Sequence, residues 1–574
     1  MKGESMTMWS KLMIDMKTLT VSKEPLDEEY RELGGKALIA QYMIKNVPPQ
    51  CDPLGSQNQL IFCTTVFAGT NLTTTHRMSV GGKSPLTGGI KESNVGGYAA
   101  YLLAEQGIKL IVIKELPASN GLWLVHIDAK GKVSLKDFSN YEGINNYDLV
   151  NRINELFGNK LATVSIGSAG ERLYRSASIQ VSEFASGHPS RAAARGGLGA
   201  LMGSKRIKGV VIEKPEEPYN VKYADEAKFK EVCKKLNKMI AEGAKNDPFQ
   251  KFGTISTIEV TGANGILPVD NFSGNLFPEY QEVGTNRFMA NLATRGGRNK
   301  LSCQPGCVLQ CSNVYNDKDG NYLTSGFEYE TIALFGPNCH ITDLDAIARM
   351  DRICDDLGVD TIEIANAVAM CMEVGKIKWG DADAALGLLK EMADGTQFGN
   401  LLGNGCEATG QNLGCKRIPV VKHQAIAGYD PRNTKGTGIT YATSPMGADH
   451  TAGLTMGRAF DDCGRAAQAY VSNKLQVAMS FADSMMCIFA FSHMVPGIPL
   501  LGELMAALYG GKSDVTRVTM MGVKTLLTER AFNKMAGMTM EDDRLPDFFY
   551  NERSAATGSQ FDINDYELEV LFDF

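Results

Sequence analysis

Cys303-Gln304-Pro305-Gly306-Cys307-Val308-Leu309-Gln310-Cys311 packs three thiols into nine residues, and a fourth, Cys487, follows far downstream at the end of Ala482-Asp483-Ser484-Met485-Met486-Cys487. Three neighbouring thiolates plus a remote one is the pattern by which a chain wraps a [4Fe-4S] cluster. A structural zinc site is a competing reading. It usually presents two closely spaced ligand pairs, whereas here the grouping is three plus one, with Pro305 and Gly306 turning the backbone inside it. Coincidental buried cysteines are the third reading. Both gaps in the triplet hold three residues, wider than the triplets that serve radical chemistry on S-adenosylmethionine. The role left is an electron relay.

Length and composition bound what surrounds this stretch. A chain of 574 residues is expected to form two to four domains with large cores. Its 44% hydrophobic and 21% charged residues place it among ordinary globular proteins. The net charge of -7 gives no global attraction for nucleic acid or an acidic membrane, so neither is an expected partner. The 60 glycines exceed the usual share of about 7% and gather at Gly81 to Gly97 and Gly196 to Gly203, where backbone can come close to a ligand. Thirteen cysteines is an odd count, and Met1 to Asp15 lacks the apolar core of a signal peptide. A reducing compartment without disulfides, the cytoplasm, is therefore expected. No apolar run reads as long enough to span a bilayer.

The first 214 residues alternate short β-rich runs with glycine-rich turns. Strands are expected at Gln59 to Thr65, Lys109 to Lys114, Gly121 to Asp128, Ala162 to Ile166 and Ile207 to Ile212. Helices are expected at Leu33 to Lys45 and Gly96 to Glu105, the second capped by Ser93 and Asn94 and closed at Gly107. Pro215 and Pro218 mark a linker, after which Tyr223 to Gly243 reads as an amphipathic helix and Asn316 to Gly320 as a hairpin turn. Helices then dominate, at Asp343 to Leu357, Thr361 to Val374, Asp381 to Met392, Gln468 to Cys487 and Leu500 to Leu508, with a break near Lys416 to Pro419 and an acidic, aromatic tail. Glu541, Asp542 and Asp543 read as a solvated loop. The fold class is α+β: an N-terminal sheet-and-helix base (1–214), a central helical domain carrying the triplet (215–418) and a C-terminal helical domain carrying Cys487 (419–574).

Two glycine stretches have the chemistry of phosphate seats. His76 to Gly97 combines Arg77 with glycines and an expected helix start, and Arg191 to Lys205 sets arginines beside Gly196, Gly197 and Gly199. A tight turn beside a surface arginine is the plain alternative for each. The second is a poor dinucleotide fingerprint, because its third glycine, Gly203, comes one residue late. Acid and base candidates lie in the helical half. Glu328 and Glu330 would share a face of an extended segment, and His450 follows Asp449, which could orient it. Surface glutamates and a structural histidine are the plain alternatives. Asp355 to Asp360 ends a helix at Gly358.

Together these features resemble the aldehyde:ferredoxin oxidoreductase family, tungsten or molybdenum enzymes with a bis-pterin cofactor and a [4Fe-4S] cluster. The resemblance runs over nearly the whole chain, anchored at Lys83 to Gly88, Ser93 to Tyr98, Ser165 to Glu171, Arg195 to Lys205, Glu328 to Glu330, Asp355 to Thr361 and Tyr429 to Arg432. It implies that Arg77, Asn94, Gly96, Arg195 and Gly196 contact pterin phosphates or a bridging Mg2+. It also implies that Asp355, Gly358 and Asp360 form the first pterin motif, with Asp483 in the second. Cys303, Cys307, Cys311 and Cys487 would hold the cluster. Glu330 would lie beside the metal, with His450 as proton donor or acceptor. The implied reaction is oxidation of a small aldehyde to the acid, with single electrons leaving through the cluster to ferredoxin or another carrier.

Departures from the family pattern leave the substrate open. Asp483-Ser-Met-Met-Cys487 is one residue shorter than the family's second motif and lacks its glycine. The triplet's first gap is one residue longer. Ala452 stands where a pterin-contacting lysine is expected. Arg349-Met-Asp-Arg352 replaces the pattern that binds a subunit-bridging iron, so any oligomer is not expected to form through such an iron. The alternatives are a paralogue that reduces a carboxylate or aryl thioester, and a noncatalytic electron-transfer subunit that has lost the pterin.

Overall fold

A computed structural model describes residues 9–456 and 465–569. The first eight residues, Cys463 and the last five residues of the acidic tail lie outside the described residues. The twelve described cysteines are free thiols.

Twelve strands build the N-terminal region. They are β1 (Ser10–Asp15), β2 (Thr20–Pro25), β3 (Leu60–Thr64), β4 (Met78–Lys83), β5 (Ile90–Val95), β6 (Ile108–Lys114), β7 (Trp123–Ile127), β8 (Val133–Asp137), β9 (Leu161–Ser165), β10 (Ile179–Val181), β11 (Arg191–Ala193) and β12 (Ile207–Glu213). They form two six-stranded sheets, ordered β2-β1-β6-β3-β4-β5 and β11-β10-β9-β12-β7-β8. Each has one parallel pair, β1 with β6 and β7 with β12. The alternation of side chains across a strand explains the layering. Phe62 and its partner Ile111 face a core shared between the sheets, as do Val164 and its partner Val210. Their neighbours Ile61 and Val112 face the helix Gly35–Asn46, while Val211 and Leu124 face the helix Asn146–Phe157. Strands apolar on both faces are why these runs read as continuous hydrophobic stretches.

The five strands expected from sequence are present within a residue or two. Two others pass through the glycine stretch. β4 contains Gly81 and Gly82, and β5 contains Lys91, Glu92, Ser93 and Asn94, so neither shows apolar alternation. Ser93 and Asn94 therefore cap nothing. The helix there is Ala99–Glu105, three residues later than the expected start at Gly96, and its N-cap is Tyr98 without a side-chain bond.

The remainder is helical apart from a three-stranded sheet, Arg298–Leu301, Ser312–Asn316 and Tyr322–Ser325, whose last turn is the expected hairpin, and a two-stranded ribbon, Val420–Val421 with Gln424–Ala425. Side chains of Asp343, Asp360 and Asp381 cap the helices Leu344–Leu357, Thr361–Glu373 and Ala382–Asp394, and Gly358 ends the first at φ 75°. Ile488–Tyr509 is, by length and composition, apolar enough to cross a bilayer, contrary to the sequence expectation. It is broken into short turns followed by the helix Ile498–Tyr509, which packs on the helix Glu226–Ala244. Asp543, expected in a solvated loop, is buried and bonded by Arg530 at 2.8 Å and Lys422 at 2.6 Å.

One contact between the two halves positions the chemistry. The helix Arg465–Met485 ends against the start of Gly35–Asn46, where Ser484 Oγ accepts from the Ala37 amide at 3.0 Å and Ser484 O from the Val66 amide at 3.0 Å. A Cβ at Gly35 (φ 49°) would lie 2.6 Å from Asp483 O, so this approach requires glycine. Cys487 is thereby returned to the N-terminal region.

Candidate cluster site and active site

The loop Thr73 to His76 gathers the four cysteines. Thr73 Oγ1 donates to Gly306 O (2.7 Å) and accepts from the Val308 amide (3.2 Å). Thr74 O accepts from the Cys487 amide (2.9 Å) and Gln304 Nε2 (3.4 Å), and His76 Nδ1 donates to Pro305 O (3.3 Å). Burial pushes the thiols of Cys303, Cys307 and Cys311 up, and each feels the charge of Cys487. Cys307 and Cys487 pack in one core cluster.

Gly96 forms part of the wall. A Cβ there would lie 2.9 Å from Cys303 Sγ and 3.3 Å from Arg77 Nη1. Gly96→Ala is therefore expected to overpack by about 1–3 kcal/mol and to lower iron per chain, measured on anaerobically purified protein. Gly387→Ala, in a helix with nothing within 4 Å, should leave iron unchanged.

Beyond Gly96 lies a band of buried charge between β5 and the helical half. Arg77 Nε donates to Asn94 Oδ1, and Asn94 Nδ2 to Asp483 O at 3.4 Å. Burial opposes the Arg77 charge, but Cys487, Cys303 and Asp483 raise its pKa. Burial and Glu92 push the Asp483 carboxyl well up, against Lys36 and Arg77. Lys36 faces Glu529 at 3.5 Å, and Lys91 faces Asp449 at 3.4 Å. Arg195 bonds Asp360 at 3.2 Å and the carbonyls of Ala425 and Ala448, with Glu363 3.9 Å away. Gly196, at φ 87°, lies against the Lys91 stem. Arg77, Asn94, Gly96 and Asp483 thus share one end of the band, and Arg195, Gly196 and Asp360 the other.

Asp355 stands apart from Asp360. It sits on the far side of the helix end with Asp351, Arg191 and Arg352, and burial first, then Asp351, pushes its carboxyl well up. Gly358 between them packs on Gly167 and Asn146, whose amide donates to the carbonyls of Asp355 (3.1 Å) and Asp356 (3.0 Å). Arg352, in place of a metal ligand, lies 3.3 Å over the ring centre of Tyr147.

Glu330 and His450 meet. His450 Nε2 is 3.3 Å from Glu330 Oε1, while Glu330 Oε2 accepts from the Gly428 amide at 2.7 Å. Burial raises the Glu330 pKa, partly opposed by His450 and that amide. Two sequence expectations fail here. Glu328 and Glu330 do not share an extended face: Glu328 is the N-cap of the helix Tyr329–Phe335 and turns to Arg191, while Glu330 lies inside the helix. Nor does Asp449 orient His450. It bonds Lys91 and Thr451, and against the cost of burial the charges of Lys91 and Arg195 hold it far below the usual carboxylate range.

Sequence reading missed Lys36, Lys91, Glu92, Glu529 and Tyr441. The available signal was charge inside a strand that otherwise reads as buried, Ile90-Lys-Glu-Ser-Asn-Val95. Polar atoms without a hydrogen-bond partner test whether a polar group fits this band: Glu92 Oε1, both Glu529 oxygens, Glu330 Oε1, His450 Nδ1 and Tyr441 Oη. Buried atoms left unpaired cost about 1–3 kcal/mol each, so their concentration fits a bound polar cofactor.

The sequence matches two family models, "Aldehyde ferredoxin oxidoreductase, N-terminal domain" over residues 11–214 and "Aldehyde ferredoxin oxidoreductase, domains 2 & 3" over residues 231–573. A tungsten-containing aldehyde ferredoxin oxidoreductase of Pyrococcus furiosus is 29% identical, with 95% of this chain and 92% of that protein aligned. One of Pyrococcus abyssi is 31% identical over 77% of this chain and 74% of its own. Among solved structures, a chain of the active site complex BamBC of benzoyl coenzyme A reductase with 1,5-dienoyl-CoA superposes with a TM-score of 0.80 at 18% identity, over 98% of this chain and 92% of that one. This last likeness bears on the fold alone.

Proposed function

The chain belongs to the aldehyde ferredoxin oxidoreductase family and is an oxidoreductase, and from that premise we propose that it oxidises small aldehydes to carboxylic acids. Electrons leave through a [4Fe-4S] cluster to ferredoxin or another electron-carrier protein. The observation that carries this reading is the Glu330–His450 pair, a half-buried acid and imidazole 3.3 Å apart with a buried unpaired oxygen and nitrogen.

A tungsten bis-pterin centre, when bound, supplies the two-electron acceptor. Arg77, Asn94 and Gly96 at one end of the band and Arg195 and Gly196 at the other would hold pterin phosphates or their bridging Mg2+, with Asp483 and Asp360 beside them, while Asp355, set apart, and Gly358 would shape the turn that carries Asp360. Glu330 takes the proton from the attacking water, and His450 receives it across the 3.3 Å gap. The Gly428 amide orients Glu330 throughout. Cys303, Cys307, Cys311 and Cys487 hold the cluster, whose loop reaches the surface at Gly306, beside a depression lined by Ser302, Cys307, Val308 and Gln310. That is where a carrier would dock. The same reading divides the chain at 214/215 and 418/419.

Elemental analysis after expression with tungstate tests it. About four Fe per chain with a stoichiometric amount of tungsten, together with aldehyde oxidation, is the expected result. Iron alone would overturn the pterin reading in favour of an electron-transfer subunit.

A further inference from the structure

We propose that Arg191, held by Glu183 and Glu328, is a positioning charge that sets the reduction potential of the cluster. This rests on the cluster reading above. Arg191 opens β11, and its side chain is 13% exposed. Nε donates to Glu183 Oε1 at 3.0 Å, Nη1 to Glu328 Oε1 at 3.0 Å and Nη2 to Ser312 Oγ. Ser312 Oγ donates in turn to Glu183 Oε1 at 2.5 Å. Glu183 is fully buried, and its second oxygen accepts from Ser186 at 2.8 Å. Gly326 leaves the room this requires, since a Cβ there would lie 2.5 Å from Arg191 Nη2.

Both outer cysteines are joined to this assembly. Ser312 directly follows Cys311, and the amide of Phe184, next to Glu183, donates to Cys303 O at 3.2 Å. The guanidinium charge reaches the thiols of Cys303 and Cys311. The other end is tied to the active site, because Glu328 caps the helix that carries Glu330, and its second oxygen accepts from Thr254. One rigid group of charges thus spans cluster and reaction centre.

Reduction adds one negative charge to a cluster. A fixed cation in a buried setting stabilises that charge and raises the potential, and a fixed anion lowers it. Two carboxylates on one guanidinium leave the assembly net negative, so its members act with opposite signs. The nearby Arg77 is a second cation facing Cys303 and stays constant across the variants below.

Redox titration of the full chain, followed by electron paramagnetic resonance with iron quantified, tests this. Arg191→Met should move the midpoint to a more negative potential, and the near-isosteric Glu183→Gln to a more positive one. Arg191→Lys, which keeps the charge, should move it less than Arg191→Met. A Glu183→Gln midpoint that stays fixed, or moves the same way as Arg191→Met, overturns the proposal while iron is retained. Should Arg191→Met lose iron, the sign of the Glu183→Gln shift decides alone. A wild-type protein without a cluster signal would instead overturn the cluster reading.

Discussion

Glu330→Gln is expected to lower kcat/KM for aldehyde oxidation by about 10²–10⁴-fold, the usual contribution of a positioned proton acceptor, with tungsten and iron per chain unchanged. The amide side chain keeps the size of the carboxylate, and its oxygen can still accept from the Gly428 amide, so the loop should stay in place. What is lost is the basic oxygen 3.3 Å from His450. The pH profile adds a second check. Burial raises the Glu330 pKa above the ordinary glutamate value, so below it the base is protonated and idle. Activity of the wild type should therefore climb as pH rises through that elevated value, and the glutamine variant should lack this limb. Full activity in Glu330→Gln would remove this residue from the mechanism.

Cys487→Ala should lose the cluster or convert it to a form with fewer irons, read as an altered resonance signal and lower iron per chain. The amide of Cys487 is fixed to Thr74 O, on the loop that gathers the triplet. Carrier-linked turnover should fall nearly to background, since the only relay proposed for electrons leaves through this site. A variant whose reduced spectrum matched the wild type would place the fourth ligand elsewhere.

The parts legible in the sequence are those whose cause is local. Asp343, Asp360 and Asp381 announce their helices as caps, and Gly358 the end of one. The strand runs at Leu60–Thr64 and Ile207–Glu213 are apolar on both faces and cannot be mistaken. β4 and β5 escaped notice because the surface they meet is not oil. Lys91 and Glu92 point into a charged band whose other members, Asp449 and Glu529, come from hundreds of residues away. The triplet and Cys487 were legible as ligands, but the Thr73 to His76 loop that gathers them was not, since only the fold brings Thr73 Oγ1, Thr74 O and His76 Nδ1 to partners more than two hundred residues away. Spacing placed Asp449 beside His450 along the chain. The fold turned them apart, because Lys91 and Arg195 offer the aspartate a stronger partner.

The return of Cys487 to the loop at Thr74 also fixes when the cluster can be completed during synthesis. Translation at roughly 5–20 residues per second leaves Cys303, Cys307 and Cys311 waiting on the order of ten seconds or more before their fourth partner is made. Its helix must then dock on the N-terminal region. Loading of iron and sulfide therefore waits on the docking of Cys487, and a truncated polypeptide ending before residue 487 would display an open three-thiol loop to any passing soft metal.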